Sequence, residues 1–169
     1  MSDAEAVVAE LTRRGQTLAT SESLTGGLIG ATITSVPGAS AAYVGGVIVY
    51  ATRLKPVLSG VSEHTLAAYS VISPQTATEM ALGVRRRTGA DWALATTGVA
   101  GPDPQEGHGP GEVWIGLAAP DGSADAHGFH FTGGRHEVRD QTVAAALALL
   151  AAALGVAPRG PGSRAGQGR

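Results

Sequence analysis

The sequence SESLTGG, at residues 21–27, follows a short strand-like run at residues 17–20 and precedes an apolar run at residues 28–33. A strand that ends in hydroxyl groups, a carboxylate and glycines, and then opens into a helix, is typical of the ligand-binding edge of an open α/β sheet. Glycines let a ligand approach the backbone closely, and the first helical turn offers unpaired N–H donors. Because Glu22 is the one metal ligand in this stretch, its serines and threonine favour a nucleophilic or phosphate-binding hydroxyl.

The composition limits the class of protein. A chain of 169 residues fits one domain, and its 43% hydrophobic but only 4% aromatic content predicts a core of Ala, Val, Leu and Ile. The absence of cysteine from the sequence excludes disulfides, thiolate nucleophiles and Cys-zinc sites. A net charge of −2 gives no basis for nucleic-acid binding. No apolar run reaches the roughly 18 residues of a membrane helix and the first residues are acidic, so we expect a cytoplasmic protein with no membrane partner.

Hydrophobic periodicity and turn residues predict the order of elements. Asp3 is expected to cap the first helix, and Ser73 with Pro74 to begin a later one. The β-branched run at residues 43–50 is predicted to be a central strand. The predicted helices cover residues 3–14, 25–34, 52–58, 62–69, 74–87 and 135–154, and the predicted strands cover 17–20, 43–50, 90–97, 112–118 and 125–131.

Parallel crossovers early in the chain and a hairpin late in it predict a mixed sheet. The expected fold class is α/β: a single layered α/β/α domain over residues 1–156, with helices on both faces of the sheet. Residues 157–169 are rich in Pro, Gly and Arg and lack a large apolar side chain, so we expect a disordered tail.

Polar residues follow the predicted strands at residues 21–27, 50–55 and 96–103, and these junctions can meet in one crevice. A desolvated Lys55 has a lowered pKa and can accept the proton of a nearby serine hydroxyl. Tyr50 can orient or relay that proton, and the amides of Gly26, Gly27 and Gly98 can hold an oxyanion. Each residue alone also has a structural explanation, as a helix cap, a solvated surface lysine or a core tyrosine.

The combination of motifs resembles the CinA C-terminal domain family over residues 4–154. Six motifs occur in the family's order: SESLTGG at 21–27, the strand from Gly46 to Lys55 with Tyr50, LSGV at 58–61, Ser73 ahead of a helix, TGVAGP at 97–102 and GEVWI at 111–115. The family contains nicotinamide-nucleotide amidases. The resemblance therefore implies hydrolysis of nicotinamide mononucleotide to nicotinic acid mononucleotide and ammonia.

The resemblance also implies roles for individual residues. Ser23 would be the nucleophile, Lys55 its base and Tyr50 an orienting hydroxyl. Arg139 would bind the substrate phosphate, although it can equally be a surface arginine paired with Glu137 or Asp140. The other implied substrate-binding residues are Thr25, Gly26, Gly27, Gly46, Thr97 and Gly98.

The family resemblance further implies a stand-alone cytoplasmic enzyme that needs no metal and no cofactor and assembles as a homo-oligomer. The five histidines lie on different predicted elements, and His127 and His130 would point to opposite faces of one strand, so a metal site is not expected.

The chain departs from the family pattern at several positions. Leu24 stands where the family often has Cys, Ala51-Thr52 replace a common Ser-Asn, and Glu112 replaces Thr or Lys. The loop at residues 103–110 is individual to this chain, and such loops determine substrate. Two alternatives therefore stay open: a non-catalytic nucleotide- or partner-binding module of competence or DNA-damage association, and an amidase acting on another small amide.

Overall fold

The computed structural model describes residues 1–156, so the tail predicted over residues 157–169 lies outside the described residues. The helices are α1 (Asp3–Arg14), α2 (Leu28–Thr34), α3 (Leu54–Ser59), α4 (Glu63–Tyr69), α5 (Pro74–Thr88) and α6 (Arg135–Ala153). The strands are β1 (Leu18–Glu22), β2 (Tyr43–Ile48), β3 (Trp92–Gly98), β4 (Glu112–Ala118) and β5 (Ala124–His130). The predicted α/β class and mixed sheet are confirmed.

The sheet has the strand order β2-β1-β3-β4-β5, with β1 parallel to β2 and β3, and with β4 antiparallel to β3 and β5. The prediction of a central strand at residues 43–50 is wrong, because β2 lies at the edge and ends at Ile48. β-Branched residues indicate a strand but do not indicate its place in the sheet. The middle strand is instead β3, and β1 beside it is buried along its whole length although Thr20, Ser21 and Glu22 are polar.

The two faces of the sheet carry side chains of different size. One face presents large residues to α1, α2 and α6: Leu18, Trp92, Leu94, Ile115 and Leu117. The other presents small residues, among them Ala19, Ala93, Ala95 and Ala118, to Met80, Ala81 and Val84 of α5. A Cβ atom at Gly116 would lie 2.2 Å from the carbonyl oxygen of Ala77, so α5 approaches this face more closely than any side chain there would allow.

The ends of two helices test the predicted caps. Ser2, rather than Asp3, caps α1: its hydroxyl accepts the Glu5 N–H, and the Glu5 carboxylate accepts the Ser2 N–H at 2.6 Å. Asp3 was the wrong choice because Ser2 and Glu5 form a complete capping box, which leaves Asp3 in the first helical turn. The cap at Ser73 is confirmed, since its hydroxyl accepts the Thr76 N–H at 3.1 Å.

Helix α3 is pressed against α5 at Gly83. A Cβ atom at this position would lie 1.6 Å from the carbonyl oxygen of Ser59, the last residue of α3. Only a residue without a side chain allows this contact between backbones, so Gly83 determines where the short helix α3 sits.

We expect the substitution Gly83→Ala to destabilise the fold. In an ordinary helix this change stabilises by about 1 kcal/mol, whereas overpacking typically costs about 1–3 kcal/mol. Urea unfolding should show the loss. Gly109→Ala is the control and should leave stability unchanged, because nothing lies within 4 Å of its Cβ position. A Gly83→Ala variant as stable as the parent chain would contradict the close α3–α5 contact.

Candidate active site

The junction between β1 and α2 is built around Glu22. Its side chain is only 1% exposed. One carboxylate oxygen accepts the N–H groups of Gly27 and Ile29, each at 3.0 Å, and the other accepts the N–H of Gly30 at 2.9 Å. The carboxylate thus satisfies donors that the first turn of a helix otherwise leaves unpaired. A phosphate cannot take that position while Glu22 holds it.

The two glycines of the junction shape the turn. Gly26 and Gly27 have φ angles of +61° and +98°, which residues with side chains rarely adopt. The Gly26 N–H donates to the carbonyl oxygen of Ser23 at 3.1 Å, and the Gly27 N–H is held by Glu22. Both amides are therefore engaged, and the oxyanion role that the sequence suggested for these two amides finds no free donor here.

Ser23 and Lys55 meet although they lie on separate elements. Ser23 follows the last residue of β1, and Lys55 lies in the first turn of α3. The lysine Nζ donates to the Ser23 hydroxyl at 3.2 Å and to the carbonyl oxygen of Val49 at 3.0 Å. Ser23 is 7% exposed and Lys55 is 2% exposed. The predicted nucleophile and base are thus in contact at a site almost closed to water.

Burial changes the acid–base chemistry of Lys55. Desolvation lowers its pKa from 10.5 to about 8, and the negative charge of Glu106 acts in the opposite direction. About one tenth of the amine is then neutral at pH 7, compared with well under a thousandth for an ordinary lysine. A neutral amine 3.2 Å from a hydroxyl can accept its proton.

Lys55 is also the only lysine in the sequence, beside eleven arginines. Lysine is normally among the most exposed residues, so a single lysine that is buried is unusual. The presence of a single lysine was visible in the sequence, whereas its burial is seen only in the structure.

The Ser23–Lys55 pair opens into a cavity of about 110 Å³. Tyr50, Thr97 and Gly98 also line this cavity, so five of the predicted site residues come together there. The wall includes the apolar side chains of Val71, Ile72 and Val99, and the polar side chains of Asp103, Gln105 and Arg135.

Tyr50 lies at the mouth of the cavity rather than at its base. Its side chain is 60% exposed, and its hydroxyl accepts a hydrogen bond from Arg135 at 2.9 Å. Arg135, the first residue of α6, also donates to the carbonyl oxygen of Gly101 at 2.9 Å. The geometry thus places Tyr50 beside a guanidinium group, whereas the Ser23 hydroxyl has Lys55 as its partner.

Other predicted binding residues support the site from outside the cavity lining. Arg139 donates to the carbonyl oxygens of Leu24 and Thr25, both at 3.0 Å, and pairs with neither Glu137 nor Asp140. The Thr25 hydroxyl is buried against that of Thr96 at 2.8 Å. Gly46 of β2 lies against Thr20 of β1 and against the Tyr43 hydroxyl. Gly26 lies beside the guanidinium of Arg139. Arg139, Thr25 and Gly27 thus hold the loop that carries Ser23, whereas Gly46 lets β2 lie close to β1.

Sequence reasoning missed Arg135. It precedes Arg139 by about one helical turn, and periodicity alone cannot tell which of two arginines on one helix reaches a cavity. Among residues 1–156, no group of three or more His, Asp or Glu side chains is placed to hold a metal ion. No helix within this described part combines the length and apolar character required to span a membrane.

A family model described as the CinA C-terminal domain matches residues 2–154 of the chain. The chain belongs to this family. A CinA-like protein of Frankia casuarinae is 46% identical over 162 residues, covering 96% of this chain and 37% of that protein. A putative competence-damage inducible protein of Bacillus velezensis is 43% identical over 141 residues, covering 81% of this chain and 34% of that protein. The chain therefore spans about a third of these curated relatives.

Solved structures of the CinA superfamily share the fold over most of their length. A superfamily protein from Klebsiella pneumoniae has a TM-score of 0.87 at 33% identity, covering 90% of this chain and 96% of that one. The competence/damage inducible protein CihA from Agrobacterium tumefaciens has a TM-score of 0.84 at 34% identity, covering 92% and 97% respectively.

We expect Lys55→Met to reveal the energetic penalty of the buried amine. Below pH 8 the lysine is protonated in both folded and unfolded chains, and burial of its charge destabilises the fold. Between about pH 8 and 10.5 the folded chain loses this proton and the unfolded chain keeps it, so stability rises with pH relative to the methionine variant. Urea titrations of both proteins should show their stability difference changing by about 3 kcal/mol across that interval. A difference independent of pH would contradict the lowered pKa.

Proposed function

We propose that this domain is an amidohydrolase that converts nicotinamide mononucleotide to nicotinic acid mononucleotide and ammonia, with Ser23 as nucleophile and Lys55 as base. The observation that carries the proposal is the buried Ser23–Lys55 pair, 3.2 Å apart, facing a cavity. A serine activated by a desolvated lysine is a sufficient nucleophile for acyl transfer.

The proposed reaction has two halves. Neutral Lys55 accepts the proton of Ser23 as the hydroxyl oxygen attacks the carboxamide carbon. The resulting ammonium group then gives that proton to the leaving nitrogen, the C–N bond breaks, and ammonia departs from an acyl-serine. A water molecule, deprotonated by Lys55, attacks the ester carbon and releases the carboxylic acid, and the proton returns to the Ser23 oxygen.

The cavity wall carries side chains that are suited to the separate parts of a nucleotide substrate. The apolar patch of Val71, Ile72 and Val99 can pack against a flat pyridine ring. The guanidinium of Arg135 is suited to bind a phosphate at the mouth, because Arg135 lines the cavity and Arg139 does not. Asp103 offers a carboxylate to ribose hydroxyls or to the pyridinium charge.

The proposal keeps the wider properties that the family resemblance implies. These are a cytoplasmic location, no requirement for a metal or cofactor, assembly as a homo-oligomer, and no nucleic-acid or membrane partner. An amidase acting on another small amide uses the same Ser23–Lys55 pair and differs only at the cavity wall.

Ammonia release from nicotinamide mononucleotide tests the proposal. Ser23→Ala and Lys55→Ala should each lower kcat by about 10³-fold or more, because each removes a member of the reacting pair. Ser40→Ala, at an exposed serine, is the control and should keep full activity. Saturable binding of the nucleotide without ammonia release would favour a non-catalytic binding module. Unchanged turnover in both site variants would remove the proposed mechanism.

The pH dependence of kcat/KM provides a second test. Activity should rise with pH and level off above about pH 8, because only the neutral amine of Lys55 accepts a proton. Glu106→Gln removes a charge that raises the Lys55 pKa, so its profile should shift to lower pH. Glu63→Gln removes an exposed carboxylate outside the cavity lining and serves as the control for the midpoint. A profile that falls as pH rises from 6 to 8 would show that the lysine acts in its charged form.

A further inference from the structure

A second buried contact runs beside the Ser23–Lys55 pair. The hydroxyl oxygens of Ser21 and Ser59 lie 2.6 Å apart, and both residues are 0% exposed. Ser21 belongs to β1 and Ser59 ends α3, so the same strand and helix are joined twice. The cavity lining includes Ser23 and Lys55 but neither Ser21 nor Ser59, so the second contact is not part of the substrate surface.

The spacing of the two contacts follows from the geometry of the elements. Ser23 directly follows β1, and its N–H donates to the carbonyl oxygen of Thr96 in β3 at 3.0 Å, which continues the strand pairing by one residue. Ser21 and Ser23 therefore share a face and are separated by about 6.6 Å. Lys55 and Ser59 are four residues apart in a helix, so they also share a face and are separated by about 6 Å along the axis. The two separations match. A helix lying along the strand can therefore make both contacts at once.

The Lys55 amine stays beside the Ser23 hydroxyl only if helix α3 is held in place. Helix α3 has only six residues, and its first turn has no side-chain cap. Helices of this length have little stability of their own. The lysine side chain adds four rotatable bonds between the helix and the amine, so a small shift of α3 would move the amine away from the Ser23 hydroxyl.

Simple packing does not require hydroxyl groups at Ser21 and Ser59. Ser21 lies on the face of the sheet where Ala19 and Ala95 are buried, and alanine fits that face. The hydroxyl pair therefore adds a directional contact at a position where an apolar side chain of nearly equal volume would suffice.

We propose that Ser21 and Ser59 are positioning residues: their hydroxyl pair sets the register of α3 against β1 and so holds the Lys55 amine on the Ser23 hydroxyl. The inference rests on the proposed function for its kinetic consequence. Gly83 sets the distance between α3 and α5 through its contact with the Ser59 carbonyl. The Ser59 hydroxyl sets the position of α3 along β1.

The experiment compares Ser21→Ala, Ser59→Ala and the double variant. Each single variant leaves one buried hydroxyl without its partner and should unfold at lower urea concentration than the parent chain. The double variant removes both hydroxyls and should regain a midpoint near that of the parent. If the pair only satisfies its own hydrogen bond, the double variant also regains full kcat, and the inference is overturned. If the pair positions Lys55, kcat stays about tenfold or more below that of the parent, with KM for nicotinamide mononucleotide within about twofold.

A second measurement is independent of turnover. Because Lys55 is the only lysine, reductive methylation with ¹³C-formaldehyde, followed by NMR, reports its titration beside that of the N-terminal amine alone. In the double variant the amine should gain access to water and titrate at higher pH than in the parent chain. If the double variant does not regain stability, the titration of Lys55 decides between the two outcomes. A titration midpoint at higher pH than in the parent chain supports the inference, and an unchanged titration midpoint overturns it. Ser40→Ala is the control.

The two proposals fail in different ways. A parent chain that releases no ammonia contradicts the proposed function, and the titration of Lys55 in the serine variants still tests the positioning. A parent chain that is active, with a double variant of equal kcat and equal lysine titration, contradicts the positioning alone.

Discussion

The buried carboxylate of Glu22 is the interaction on which the site depends. A carboxylate at 1% exposure is costly unless hydrogen bonds replace its water, and three backbone N–H groups of the following turn do so. Those bonds require the chain to fold back tightly after β1, which Gly26 and Gly27 permit. Ser23 lies inside this turn, so its backbone position follows from the capping of α2. Arg139 holds the same turn through two carbonyl oxygens.

The asymmetry of the sheet explains how a lysine comes to be buried beside that serine. Large side chains on one face form the main core with α1, α2 and α6. Small side chains on the other face let α5 lie close, and Gly83 lets α3 lie close to α5 in turn. The space left between the end of β1 and α3 is narrow, and the Lys55 amine occupies it with Val49 and Ser23 as partners. Burial of the amine in this space lowers the pKa of Lys55.

Much of the fold could be predicted from the sequence because each signal was local. Ser73 and Pro74 are adjacent in the sequence and mark the start of α5, and the spacing of hydrophobic residues indicates helices and strands. The place of β2 at the edge of the sheet is not local, since it depends on which strands find partners. The cap at Ser2 was missed although Ser2 and Glu5 have the sequence spacing of a capping box, because Asp3 is itself a favourable capping residue and was preferred. The choice between Arg135 and Arg139 likewise depends on tertiary contacts.

In the site, too, some features could be predicted from local sequence and others depend on tertiary contacts. The Ser23–Lys55 contact was predictable as a chemical pair, and the structure adds that a second pair, Ser21 and Ser59, joins β1 to the same helix. Glu22 was considered only as a metal ligand, although a strand-end carboxylate followed by two glycines is well suited to cap the next helix. A hydroxyl pair such as Ser21 and Ser59 gives no sequence signal, because either serine alone resembles an ordinary small residue. Candidate reacting groups can thus be inferred from their chemistry, whereas the residues that contact their supporting elements are identified from the packing.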